Sequence, residues 1–212
     1  MLQVASRPQS RRRPPSRLGA LTLALVLPLL FGTTQAQRDR LPPPAADCED
    51  AITGLWLAHV YYEHVHQWYR FRLEISEQSG VLSGTIHSEY WDGDAKDEQP
   101  PACGAPHHRR AVFEPATGSF DGNFVVFQGT SWTVDTSQSC PEVEPDYLVD
   151  HFSGALDAER QEFMSVLNAD TPEWTDVPTV FRRVACTPPK TPEPVVAPPP
   201  YTPPTSRFGC NW

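Results

Sequence analysis

The sequence predicts an all-β protein: an eight-stranded antiparallel up-and-down β-barrel, with a two-sheet β-sandwich as the alternative, followed by a disordered Pro-rich C-terminal tail. Three observations carry this. Apolar residues between Cys48 and Cys186 recur with period two, not 3.6. Turn signals punctuate that pattern at short intervals, at Ser79-Gly80, Asp92-Gly93, Thr117-Gly118 and Asp121-Gly122. The cysteines, finally, fall where the two ends of a closed barrel would put them.

The strands follow in order. Trp56 heads the first, expected over 54–62. In the second, 68–76, Tyr69, Phe71, Leu73 and Ile75 alternate with Trp68, Arg70, Arg72 and Glu74, the pattern of a half-buried strand. In the third, 81–90, Leu82, Gly84, Ile86, Ser88 and Tyr90 form the inward set. Further strands are expected at 108–114, 123–134, 147–156, 162–168 and 179–185, and closing them into a barrel removes exposed sheet edges. Only 157–161 has any helical character, and it reads better as a turn.

Up-and-down order places alternate connections at opposite ends. Connections 63–67, 91–107, 135–146 and 169–178 share one end, here called the mouth; 77–80, 115–122 and 157–161 share the base. Cys103 and Cys140 both fall in mouth connections, whereas Cys48 and Cys186 flank the first and last strands at the base. Of the fifteen ways to form two bonds from five cysteines, parity selects Cys48–Cys186 and Cys103–Cys140. Cys210 is left free, or available for an intermolecular disulfide.

Outside the barrel domain, 48–186, the chain divides into three. Residues 1–36 have the form of a signal peptide: five arginines without an acid, the apolar run Leu18–Phe31, and small residues before a cleavage point after Ala36. That run is too short to span a bilayer core of about 30 Å as a helix, and the expectation is export by the general route to a secreted or periplasmic location. Residues 37–47 form a short leader. Residues 187–212 form the tail, whose proline tract excludes helix and central strand. Without residues 1–36 the chain holds 12 basic and 26 acidic residues, a formal charge of −14. Such a surface does not suit nucleic acid, and no second apolar run provides a membrane span.

The chemistry points to binding, not catalysis. Asp150 and His151 are adjacent, so on a strand their side chains point to opposite faces and form no relay. No serine occupies a nucleophile elbow. Tyr62, Ser88, Tyr90 and Trp132 are the candidate ligand-binding residues, near the mouth. Gly84 and Ser88 leave room there for a small apolar or aromatic molecule. His64 and His66 in the first mouth connection, with His107 and His108 closing the second, are candidate metal ligands for zinc or copper if the two loops meet and the first is extended. No other cofactor is expected.

A family resemblance adds to this. The stretch Ile52-Thr53-Gly54-Leu55-Trp56, followed by Gly80-Val81-Leu82-Ser83-Gly84-Thr85, resembles the opening strands of avidin and streptavidin. Gly54-Leu55-Trp56 together with the Arg182-Arg183 pair resembles lipocalins, in which an arginine near the barrel's end covers the first-strand tryptophan. Both are eight-stranded barrels that bind small ligands. The biotin-binding pattern is largely absent: Ala58, Ile86 and Thr179 stand where that family has asparagine, tyrosine and aspartate, and Ser88 alone matches; Trp132 is similar to a wall tryptophan. The resemblance therefore implies an exported, non-enzymatic, small-molecule-binding barrel whose ligand is not biotin. The alternative is a protein-interaction or protease-inhibitor module. Inhibitors built on small eight-stranded barrels bind through an N-terminal extension, here 37–47.

Overall fold

The computed structural model describes residues 34–104, 108–141, 147–167 and 175–187. Residues 1–33, 105–107, 142–146, 168–174 and 188–212, with His107 and Cys210 among them, lie outside them. Among the described residues nine strands form: β1 (Gly54–Tyr62), β2 (Gln67–Gln78), β3 (Val81–Asp92), β4 (Arg109–Phe120), β5 (Phe124–Gly129), β6 (Thr133–Val134), β7 (His151–Asp157), β8 (Glu162–Leu167) and β9 (Thr175–Ala185). Eight of them pair antiparallel in the cyclic order β1-β2-β3-β4-β5-β7-β8-β9, and β9 returns to β1. The barrel is closed, and the sandwich alternative is excluded.

The expected fifth strand, 123–134, is two strands. Its first half, β5, pairs with β4 from Phe120↔Val125 to Ala116↔Gly129. The chain then leaves the sheet and rejoins β4 as β6 at Phe113↔Thr133. Pro115 lies at the break and has no N–H to give a neighbouring strand. Its carbonyl is still used, accepting from both the backbone N–H and the hydroxyl of Thr130. β4 itself runs six residues beyond its expected end, because the turn needs only 121–123. Asp121 caps that turn by accepting from the N–H groups of Asn123 and Phe124, and Gly122 takes φ +95°.

Alternation fills the interior from the base. Trp56, Phe71, Leu73, Ile75, Leu82, Ile86, Phe127, Phe152, Phe163 and Phe181 are fully or almost fully buried and form one cluster. Phe71, Phe152, Phe163 and Phe181 interlock with ring centroids 4.7–6.0 Å apart. Each such side chain contributes roughly 1.5–3 kcal/mol by leaving water. Arg183 closes the base: on the inner face beside Trp56, it donates to the carbonyls of Asp50 and Thr53 and pairs with Asp50. Its two terminal nitrogens are thus engaged, while its Nε is buried without a partner, and Trp56 donates to Ile52 O at 2.8 Å. Arg182 points outward to Glu162. The disulfides are Cys48–Cys186 and Cys103–Cys140, one at each end, both within the chain.

A second layer wraps the outside. Residues 34–40 are helical, where the sequence had suggested only a cleavage point and a leader. Gln37 sits on the edge of β9, donating to Pro178 O and accepting from Val180 N–H, and Arg182 holds the carbonyls of Arg38, Leu41 and Pro42. The connection after β3 folds down over β2 and β3, where Trp68 and Trp91 donate to the carbonyls of Asp94 and Asp97. Both tryptophans point outward by alternation, Trp68 as expected and Trp91 because β3 runs two residues beyond its expected end, yet this cover buries them completely. Among the described residues no helix is long and apolar enough to cross a membrane.

Candidate functional site at the barrel mouth

Antiparallel register brings residues from five segments to the inner face near the mouth. Tyr69 stands opposite both Val60 and Tyr90, and Tyr90 opposite Arg110. The rings continue from one to the next: Tyr62 to Tyr69 at 4.9 Å, Tyr69 to Tyr90 at 5.2 Å, Tyr90 to Tyr147 at 6.2 Å and Tyr147 to Trp132 at 6.1 Å. Arg110 lies over the Tyr90 ring at 5.8 Å, an electrostatically favourable position for a cation. Tyr62 and Tyr69 are buried, whereas Tyr90, Trp132 and Tyr147 are half-buried, with the Tyr147 hydroxyl turned down onto Asp150. The row thus has a packed root and an accessible face.

Beneath the row lies a polar cluster. Asp150 accepts hydrogen bonds from Ser88 Oγ and from Tyr147 OH, the latter at 2.7 Å, and its own N–H donates to Glu114 Oε2 at 3.0 Å. Glu114 Oε1 is buried there without a hydrogen-bond partner. Gly129 makes room for this arrangement: any Cβ there would collide with the Glu114 carboxyl. Two carboxyl groups share a buried space, so both cannot easily ionise. Burial first, and the Asp150 charge second, push Glu114 up to about 10. Burial also raises Asp150, but its hydrogen-bond donors work against that. Glu114 therefore holds its proton at neutral pH. The same burial raises Tyr69 and Tyr147 well above the usual phenol range, so their hydroxyls remain protonated donors.

The four residues singled out from sequence for ligand binding, Tyr62, Ser88, Tyr90 and Trp132, are all part of this assembly. Tyr69, Arg110, Glu114, Tyr147 and Asp150 complete it and were not singled out. A signal for two of them exists. Glu114 lies in phase with Val112 and Ala116, and Asp150 in phase with Phe152 and Gly154, so each is an acid on an inward-facing position. Tyr147 had no such signal: it opens the expected strand 147–156 out of phase with Asp150 and Phe152, and in the structure it precedes β7.

The candidate metal ligands are arranged differently from the expectation. Residues 63–66 form a turn, not an extended segment, and His66 has φ +53°. His64 therefore lies against the Tyr62 ring at 6.2 Å. His66 instead turns to the outer face, its Nδ1 3.2 Å from Tyr61 OH. The two rim loops do meet, through the backbone: Gly93 N–H donates to His66 O and Asp92 N–H to His108 O. His107 lies outside the described residues, among which no group of three or more His, Cys, Asp or Glu is placed to hold a metal ion. The described parts of the 91–107 and 135–146 connections lie largely along the outer wall. Asp94, Asp97 and Glu98 cover β2 and β3 there, and Asp135, Gln138 and Ser139 dock on β3 and β4.

Comparison of the chain with protein-family models, with curated proteins and with solved structures finds no match.

Proposed function

We propose that the protein is an exported, non-enzymatic barrel of calycin type, akin to avidins and lipocalins in architecture, that binds a small aromatic or apolar molecule at its mouth. The observation that carries this reading is the unbroken aromatic row from Tyr62 to Trp132 above a buried carboxyl pair. Flat rings offer stacking area at little entropic cost, and the convergent hydroxyls and Arg110 give a ligand's polar edge hydrogen-bond partners. The large side chains toward the base leave the mouth as the place for a ligand. Two intrachain disulfides suit an oxidising compartment, which supports the secreted or periplasmic assignment.

The test is a fluorescence and thermal-shift screen of small aromatic and aliphatic compounds against the purified protein, repeated on Tyr90→Ala and Trp132→Ala. The reading expects a subset of aromatic compounds to quench tryptophan emission and raise Tm, with affinity reduced at least about tenfold in either variant. A panel without any saturable response, or equal response from both variants, overturns it.

A second reading, a protein-interaction module, rests on the outer face of β5, β7 and β8. There Phe124, Ala155, Met164 and Val166 are exposed, and no Asp, Glu, Lys or Arg interrupts them. A pull-down whose capture is lost in a Phe124→Ser/Met164→Ser variant that still folds would favour it.

A further inference from the structure

We infer that the outer wall of β1–β3 carries a second binding site, for a small organic anion with an apolar body, seated on Arg72, His59 and His87 beneath the N-terminal segment. The register sets out the wall in rows: Leu57, Arg72 and His87 side by side, then His59, Arg70 and Glu89, then Tyr61, Trp68 and Trp91. Residues 40–42, Gln99 and Gln138 rise around these rows and leave a cavity of about 390 Å³. This space is outside the barrel and shares no side chain with the mouth site, so it stands or falls independently of the reading given there.

Two features of the lining call for an occupant. His59 Nε2 and Arg72 Nε, and with them His87 Nε2 and Glu89 Oε1, are buried without a hydrogen-bond partner. A buried polar atom left unpaired is costly and rare, and all four belong to residues lining this one cavity. The second feature is the local charge. Each nearby acid is already engaged: Glu98 with Arg40 at 3.0 Å, Glu89 with Arg109 at 2.7 Å, Glu74 with Arg72 at 2.6 Å, and Asp135 with His87 at 3.4 Å. Arg70 adds a further positive charge, with Glu89 3.8 Å away and its shorter hydrogen bonds going to Gln99 and the Glu98 carbonyl. Charge in this enclosed patch is balanced: Arg40, Arg70, Arg72 and Arg109 stand against Glu74, Glu89, Glu98 and Asp135, and burial pushes both imidazoles down. The donor it leaves over is Arg72 Nε.

His59 registers the same field. Burial, then the Arg70 and Arg40 guanidinium groups, push its imidazole down to about 4, so the ring is neutral at physiological pH. An anion placed among these groups would stabilise the imidazolium, and by linkage its binding and the protonation of His59 strengthen each other. Leu41, Pro42 and Leu57 supply an aliphatic lip for the ligand's body.

The test uses the full folded protein with labelled histidines, following the His59 ring by NMR across pH at fixed ionic strength. Hexanoate is the probe, chloride the screening control and hexylammonium the sign control. The site requires saturable hexanoate binding that raises the His59 pKa by about one unit, a tenfold linkage, without moving His66. Arg72→Gln, whose guanidinium reaches toward the surface and whose loss leaves the barrel interior untouched, should weaken hexanoate at least about tenfold. An equal His59 shift with chloride, equal binding of hexylammonium, unchanged affinity in Arg72→Gln, or failure to saturate each overturns the assignment.

Discussion

The two parts of the barrel interior are built on opposite terms. Toward the base, Trp56, Leu73, Phe152, Phe163 and Phe181 pack without a titratable group other than Arg183, whose terminal nitrogens are held by the carbonyls of Asp50 and Thr53 and by the Asp50 carboxylate. Toward the mouth, the same inward alternation delivers Tyr62, Tyr69, Ser88, Tyr90, Glu114 and Asp150. The base needs only apolar volume, and burying it stabilises the fold. The mouth keeps two carboxyl groups in a shared buried space, which costs stability at any pH where both would otherwise ionise. Arrangements that work against folding free energy concentrate at functional sites, and this contrast is why the mouth is assigned as the site.

The contrast can be broken from either side. The largest effect is expected at the base. Phe181→Ala removes a ring packed against Phe71, Phe152 and Phe163 and should cost about 3–5 kcal/mol, measured by urea unfolding. Converting Cys48 and Cys186 to serine together should cost about 2–5 kcal/mol, because that bond closes 138 residues. If either change is tolerated within about 1 kcal/mol, the base is not the stabilising half. At the mouth, Tyr90→Ala and Trp132→Ala should change stability by no more than about 1–2 kcal/mol, since both rings are only half-buried, while abolishing ligand response. A loss comparable to that of Phe181→Ala would make the aromatic row an extension of the core.

Most of the barrel was legible because period two, turn residues and loop parity are consequences of local geometry. Parity alone selected the two disulfides found. What escaped shares one cause: it depends on what covers a surface. Trp68 is expected to face outward, and Trp91 to lie in the 91–107 connection instead of the strand that holds it; sequence gives no sign that 94–97 would fold over them. The 34–40 helix and the seat of Gln37 on β9 likewise need a partner surface before they have meaning. The break at Pro115 was readable in principle, since proline opposes continuous pairing on both sides of a strand. In the site, alternation found Tyr62, Ser88 and Tyr90. Glu114 and Asp150 were overlooked because an inward acid gains significance only when its partner is known.

The pH dependence of unfolding in Glu114→Gln, set against the native protein, tests the central contrast most directly. Glu114 is held at about 10 in the fold, against 4.5 for its ordinary value. Above pH 4.5 the unfolded chain releases this proton and the folded chain retains it. The unfolded state then binds fewer protons, so this group lowers stability progressively as pH rises toward 10. Glutamine retains the shape and a hydrogen-bond donor but cannot ionise. The account expects the two proteins to have similar stability near pH 4, with the variant pulling ahead as pH rises, by at least about 1 kcal/mol at pH 8. Parallel curves, with the variant the less stable throughout, would show that Glu114 is part of the structural core and would contradict the division of the barrel into a stabilising base and a functional mouth.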